Sequence, residues 1–460
     1  MKNLIDKLDQ KFQDYYQEYN DFIDNQNAFN YLTPNRLDII IKIIFFEYLL
    51  GISNTKLNKI LIYIFYKKQK RFSKYSHYNQ FREFEIEFIN LINSINDSDI
   101  NEKFLVPIDR ENEVIDSGNK LALSIILKKK INILSFFCNA NYFNLSALDN
   151  YFKLTKNTLI TDYIITNYVK YNENLRIILL FPRRKKKYEK ETLNIIKSKG
   201  KIIVKKRINI GTLINAYYIV KNLYFGANWI GNLTDNYKGA LWKAEACFKG
   251  TNGELDVLLF FPKNQKNSEA SELKIMKEEI RKYHKVHYHS IHSSDNHIET
   301  ERYSKIFFHE ESSKILANKR NNYFLGFEKV LEVLSNKQIN QDNFAFSGSM
   351  TLAAIGIRSP NDIDIIHEKN FKFDLDFFKD SPFNEFGGIH SHNIHVNRYL
   401  PEYKTSELIY NPKNFFYYMG FKFLHPKLVL NFKINRYKKN HKDKDLKDIK
   451  EINNFLDSYN

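Results

Sequence analysis

The stretch from Phe344 to Ile365 constrains the fold more tightly than any other. Phe344, Ala345 and Phe346 form a short apolar run, and Gly348-Ser349 marks the turn that follows it. Met350–Ile355 reads as a short helix that Gly356 ends. Asp362, Ile363, Asp364 and Ile365 then alternate as a strand does, so both carboxylates point to one face while both isoleucines point to the core. The pattern has a chemical logic. A helix N-terminus offers free N–H groups and partial positive charge to a phosphate, and the Ser349 hydroxyl adds a donor. Two carboxylates facing such a turn could hold Mg²⁺ against triphosphate oxygens. The plainer reading makes Asp362 and Asp364 turn and helix-start residues after Pro360-Asn361.

This pattern resembles the nucleotidyltransferase superfamily of the DNA polymerase β-type fold, whose hallmark is Gly-Ser, a short helix, then Asp-x-Asp/Glu on the next strand. Downstream, Gly420–Arg436 followed by Lys444, Asp445, Asp448 and Ile449 is similar to the strand, basic helix and Lys-Asp-x-x-Asp-Ile element of small bacterial members. The resemblance is confined to the C-terminal region. It implies that Asp362 and Asp364 are catalytic and bind Mg²⁺ or Mn²⁺. It also implies that Gly348, Ser349, Arg358, Lys433 and Arg436 bind a nucleoside triphosphate. The family's third carboxylate is missing. The strand expected near Ile389–Asn397 carries His390, His392 and His395 instead, and His395 is taken as the third catalytic residue, with His392 as its alternative. Arg358 equally suits a solvent-exposed position, and Lys433 and Arg436 suit the solvated face of a basic helix.

Composition sets the frame. The 460 residues suggest about three domains, and 43% hydrophobic with 15% aromatic content excludes a disordered chain. Two cysteines, Cys138 and Cys247, cannot build a disulfide framework or a Cys-rich zinc site. No apolar run is long enough for a transmembrane span. The best candidate, Leu37–Ile52, is interrupted by Asp38, Lys42 and Glu47 and reads as a buried or amphipathic helix. No secretory signal is legible, and the expected location is cytoplasmic, with a peripheral position on the inner membrane face left open.

The expected fold is a multidomain mixture of α+β and α/β. Residues 1–170 form a mostly helical region, with spaced apolar positions at Leu4, Leu8, Phe12 and Tyr15 and a strand at Ile131–Cys138. Residues 171–320 form an α/β layered domain, because Arg176–Phe181 and Asp256–Phe261 are continuous apolar strands separated by helices. Residues 321–460 form the nucleotidyltransferase-like α+β domain with a basic helical stretch, Pro426–Leu456.

Two further segments are candidate pockets. His287 and His289 would share one strand face, and His292–Asp295 would turn into a helix capped by Asp295 or Ser294. Metal binding, a polar ligand pocket and a structural cluster all remain open for these residues. Trp229 and Trp242 lie among glycines and amides that suit sugar or base binding, against which stands simple core packing.

A formal charge of +17 fits either a polyanionic partner or an AT-rich composition. It concentrates at Arg183–Arg207, with twelve Lys/Arg and two Glu, and at Lys433–Lys447, with seven Lys/Arg and two Asp. Neither segment interleaves aromatics as an RNA-binding module would. The partners expected are a nucleotide or phosphorylated small molecule, a glycan or nucleic-acid acceptor, and an anionic membrane surface. A general likeness of the tail and of His292–Asp295 to proteins of bacterial surface-polysaccharide assembly points to that setting. The functional expectation is Mg²⁺-dependent transfer of a nucleotidyl group to an acceptor hydroxyl or phosphate. The alternatives are a nucleic-acid-directed polymerase or tRNA-type enzyme, a non-catalytic phospholigand-binding protein, and a sugar transferase seated in the middle domain.

Overall fold

The computed structural model describes residues 19–71, 80–96, 105–115, 117–136, 143–152, 157–263, 269–335, 341–368, 371 and 382–458. The chain is mixed α and β and divides into two compact units, Met1–Asn174 and Leu175–Asn460. The helical spacing at Leu4–Tyr15 and residue Cys138 lie outside the described residues.

In the first unit, strand β1 (Tyr19–Asn27) precedes helices α1 (Asp38–Leu49), α2 (Lys56–Arg71) and α3 (Phe81–Asn96). Strand β2 (Leu105–Ile108), α4 (Gly118–Ile126), β3 (Lys130–Phe136), α5 (Leu145–Phe152) and α6 (Thr158–Tyr171) follow. The helical region thus carries a three-stranded sheet, β1-β3-β2, in which β3 runs antiparallel to β1 and parallel to β2. Helix α1 is the buried helix expected at Leu37–Ile52. It is buried on nearly every side, so its charges need partners. Asp38 accepts from Arg36 Nε at 2.9 Å and from Lys42 Nζ at 3.0 Å, and Glu47 pairs with Lys170 at 2.7 Å.

The second unit opens with β4 (Arg176–Leu180), α7 (Glu189–Lys199), β5 (Gly200–Asn209), α8 (Leu213–Leu223), α9 (Lys238–Phe248) and β6 (Glu254–Pro262). It continues through α10 (Glu269–His284), β7 (Ile291–Ser293), α11 (His297–Phe307), α12 (Glu310–Asn318) and α13 (Leu325–Ser335). Strands β5-β6-β4-β7 form a sheet in which every neighbouring pair is antiparallel. The layered α/β expectation is therefore corrected in strand direction. A continuous apolar strand reports burial of both faces and carries no information about its neighbour's direction. Ile178, Leu180, Leu258 and Phe260 meet Ile196 of α7 and Met276 and Ile280 of α10 in one buried cluster. Edge strand β5 is only half-buried, and its alternating Lys and Arg follow from that. Arg184, Lys205 and Arg207 of the first basic segment converge on Asp256, which is fully buried on β6.

Five further strands complete the unit. These are β8 (Phe344–Phe346), β9 (Ile363–His367), β10 (Ile389–Ser391), β11 (Phe415–Tyr418) and β12 (Phe421–Leu424), in the order β10-β9-β8-β12-β11. Strand β9 is antiparallel to β8 and parallel to β10, while β12 is parallel to β8 and antiparallel to β11. Helix α14 (Gly348–Ala354) links β8 to β9, and α15 (Asn393–Tyr399) and α16 (Thr405–Tyr410) precede β11. The basic stretch is two helices, α17 (Pro426–Asn440) and α18 (Asp443–Asp457), separated at His441, whose φ is +48°.

Between α8 and the segment leading to α13 lies a buried lysine pair. Lys221 Nζ meets Glu328 at 2.9 Å and lies 4.2 Å from the Tyr237 ring centre. Among the described residues, Lys319 Nζ donates only to the carbonyls of Arg320 and Asn322, both at 3.3 Å, and it sits 4.4 Å from the Tyr218 ring centre.

Candidate functional site

The four residues at the heart of the motif meet in space. Ser347 ends β8 and donates its N–H to the Asp364 carbonyl at 2.8 Å, which ties the turn to β9. Gly348 then takes φ +56°, a conformation that favours glycine. A β-carbon there would stand 2.7 Å from Asp364 Oδ2, so the missing side chain is what lets that carboxylate rest over the turn. Ser349 donates its hydroxyl to Asp362 Oδ1 at 2.6 Å. Asp362 stands one residue before β9 and Asp364 within it, with Ile363 buried between them as the alternation requires.

His392 completes the group. Strand β10 ends at Ser391, where a longer strand was expected, and His392 occupies the N-cap of α15. Its N–H donates to the Ile365 carbonyl at 2.7 Å, which brings the ring over β9. Nε2 lies 3.0 Å from Asp364 Oδ1 and Nδ1 lies 3.2 Å from the Ser347 hydroxyl. With Nε2–H donating to the carboxylate, Nδ1 accepts from Ser347. His395, expected as the catalytic histidine, is instead an exposed residue of α15, its ring centre 5.0 Å from that of His392. What is corrected is the reading of 389–397 as one strand, since the strand stops at Ser391 and His395 lies on the helix that follows, still within reach of the Asp364 charge. Ser347 carried no sequence signal of its own.

The three expected phosphate-binding cations face carboxylates of their own unit. Arg358 makes a two-pronged pair with Asp448, at 2.7 and 3.0 Å. Lys433 Nζ lies 2.7 Å from Asp448 and 3.2 Å from Asp445, and Arg436 binds Asp445 through Nε at 2.7 Å and through its terminal nitrogen. Burial alone would raise the Asp445 and Asp448 carboxyls. Hydrogen bonds from Arg436 and Arg358, together with the Lys433 charge, outweigh it and hold both below the usual carboxylate range. Lys444 is a different case. It is exposed, has no ion pair among the described residues, and lies near enough to feel the Asp362 charge, but partial desolvation and the Arg358 charge outweigh this and lower its ammonium. Sequence reasoning passed over it because it sits beside Asp445 in the tail motif.

The histidine segment is organised otherwise than expected. His287–His289 is one turn of 3₁₀ helix, where a strand face was expected, and only Ile291–Ser293 forms the strand. Asn296 caps α11 by accepting from the Glu299 N–H at 2.9 Å, while exposed Asp295 pairs with Lys277 at 2.9 Å. His292 contacts the Tyr303 hydroxyl at 2.8 Å and His289 Nδ1 lies 4.0 Å from Cys247 Sγ. Trp229 and Trp242 are both exposed, so core packing does not describe them.

Among the described residues, no group of three or more His, Cys, Asp or Glu side chains is placed to hold a metal ion. Also among them, no helix is long and apolar enough to cross a membrane. No family model, curated protein or solved structure matches the chain.

Proposed function

We propose that the second unit is a divergent Mg²⁺-dependent nucleotidyltransferase acting at Asp362 and Asp364. The observation that carries this reading is the convergence of both carboxylates on the Gly348-Ser349 turn, with Asp364 Oδ2 lying where a side chain at 348 would be. The donor set fits the ion. Mg²⁺ is ordinarily held by one or two carboxylates, with water and substrate phosphates filling the other positions, so a two-carboxylate site needs no third protein ligand.

Asp362 and Asp364 would hold the ion, which would supply neutralising charge to the triphosphate as pyrophosphate departs. The chain's own residues do the positioning. Ser349 fixes Asp362, His392 fixes Asp364, and Ser347 fixes His392. Lys444, which has no ion pair among the described residues and feels the Asp362 charge, is a cation that could approach a phosphate there. An acceptor oxygen then bonds to the α-phosphorus as the bond to pyrophosphate breaks. A glycan or other surface-polysaccharide precursor is the acceptor class favoured by the sequence likeness.

The test is incubation of the wild-type protein and of Asp362→Asn/Asp364→Asn with each labelled nucleoside triphosphate, Mg²⁺ and an acceptor extract. Pyrophosphate release by wild type alone supports the reading, and no release by either sinks it. A second reading, a phospholigand-binding protein without chemistry, is favoured by one observation. Among the described residues, no third carboxylate joins Asp362 and Asp364 as a metal-ligand group.

A further inference from the structure

Both tryptophans of the chain lie in one exposed region, on elements that carry neither Asp362 nor Asp364. The carbonyl of Trp229 packs so closely on Gly239 of α9 that any side chain at 239 would strike it. Positions 239, 242 and 243 share a face of that helix, which sets Trp242 and Lys243 beside Trp229. The turn that holds Tyr288 closes the same face. Lys243 Nζ donates to the Tyr288 carbonyl at 2.7 Å, Arg281 lies 4.4 Å from the Tyr288 ring centre, and the rings of Trp242 and His289 meet at 5.4 Å. Trp229 packs edge-on against Tyr224, their ring centres 4.7 Å apart.

Three aromatic faces are left open to solvent here: Trp229 at 46%, Trp242 at 56% and Tyr288 at 64% exposure. Large aromatics are ordinarily buried, and such a group over a polar floor marks a ligand surface. The floor is polar and cationic. Lys243 is only 6% exposed, and among the described residues neither it nor Arg281 has a carboxylate within ion-pair distance. The carboxylates whose charges reach Arg281 are Glu278 and Asp295, and Asp295 is engaged by Lys277. Arg281 Nε and the hydroxyl of Tyr224, itself 6% exposed, are both buried with no hydrogen-bond partner among the described residues. Buried polar atoms are nearly always paired, so two such atoms, one of them on Arg281 itself, at a pair of cations with no carboxylate in ion-pair distance among the described residues call for an anionic, hydrogen-bonding ligand.

We propose that Trp229, Trp242 and Tyr288 form the rim, and Lys243, Arg281 and Tyr224 the floor, of a binding site for a phosphorylated ring compound, a nucleotide or a sugar phosphate. The ring stacks on the aromatic rim, as bases and sugars do on tryptophan, and the phosphate is met by the two cations. The site is separate from Asp362 and Asp364 and does not depend on their chemistry.

Because the chain holds only two tryptophans, its intrinsic tryptophan fluorescence reports on this cluster alone. The full-length protein is titrated with uridine monophosphate, ribose 5-phosphate, ribose and inorganic phosphate, followed by fluorescence and by calorimetry. Saturable quenching by one or both phosphorylated rings is expected, at least tenfold tighter than by ribose or phosphate. A preference for uridine monophosphate identifies a stacked base, and equal affinity identifies a sugar phosphate. Trp242→Ala, at an exposed position, and Lys243→Met, which keeps the apolar stem, each weaken calorimetric binding at least tenfold. Tyr288→Ala provides the same reading should Lys243→Met fail to fold. Asp362→Asn/Asp364→Asn binds as wild type does, which separates this site from the transferase reading. No saturable binding by any phosphorylated ring, or equal binding by ribose or phosphate alone, overturns the proposal. So does unchanged affinity in Trp242→Ala.

Discussion

Asp364 leaves no room for a side chain at Gly348, since a β-carbon there would meet Oδ2 at 2.7 Å. Gly348 also has φ +56°, where an L-residue costs roughly 1–2 kcal/mol. Gly348→Ala is therefore expected to destabilise the protein by at least that amount, read as a lower urea midpoint. It is also expected to abolish pyrophosphate release, because the carboxylate must swing aside.

His392 and His395 separate a positioning role from a bystander. His392→Ala removes the partner of Asp364, and loss of such a supporting contact typically costs about 10–100-fold in metal affinity. The Mg²⁺ concentration needed for half-maximal pyrophosphate release should rise by that order, with the thermal midpoint nearly unchanged. His395→Ala, at an exposed position, should leave both quantities as they are.

The Asp445–Asp448 pair sets a stability limit at low pH. Both carboxyls titrate below their unfolded value of about 3.9. Their contribution is complete above that value and is lost as pH falls through the depressed folded values, where the unfolded chain binds more protons. Asp445→Asn leaves buried Lys433 short of a partner and should cost about 3–5 kcal/mol at pH 7. Urea melts between pH 2 and 7 would show a shallower acid limb in this variant, on the order of one proton less.

Lys319 produces a second limb of the same sign at higher pH. Burial lowers its ammonium to about 7, with Lys221 adding to the effect and Glu328 opposing it. From the unfolded value of about 10.4 down to about 7, the unfolded chain takes up a proton that the folded protein refuses. Stability should therefore fall as pH drops across that window and level off below it. Lys319→Met is expected to remove this limb, so thermal midpoints measured from pH 7 to 10 should flatten in the variant.

Much of the site was legible because local rules decide it. Glycine and period placed Gly348-Ser349, α14 and the Asp362–Asp364 alternation within two residues of where they lie. The strands around Arg176 and Asp256 were legible for the same reason, since apolar runs bounded by proline report burial. Their antiparallel pairing was not, because direction depends on connections that composition does not encode. His392 could be named only as the alternative to His395, because its position is fixed by a backbone bond to Ile365, a residue of another strand. The counter-charges of Arg358 and Arg436 escaped because a carboxylate in a tail motif gives no sign of which cation it will meet.

The turn at His441 folds α18 back so that its carboxylates reach across to other elements. One of them, Asp448, grips Arg358, which lies between α14 and β9, four residues before Asp362. The segment leading into the proposed metal ligand is thus moored to a helix some ninety positions further along the chain. Anything that loosens α18 would be felt at Asp362 as a change in aim, transmitted through one guanidinium. The second unit therefore behaves as a braced frame, in which a distant strut sets the pitch of the working edge.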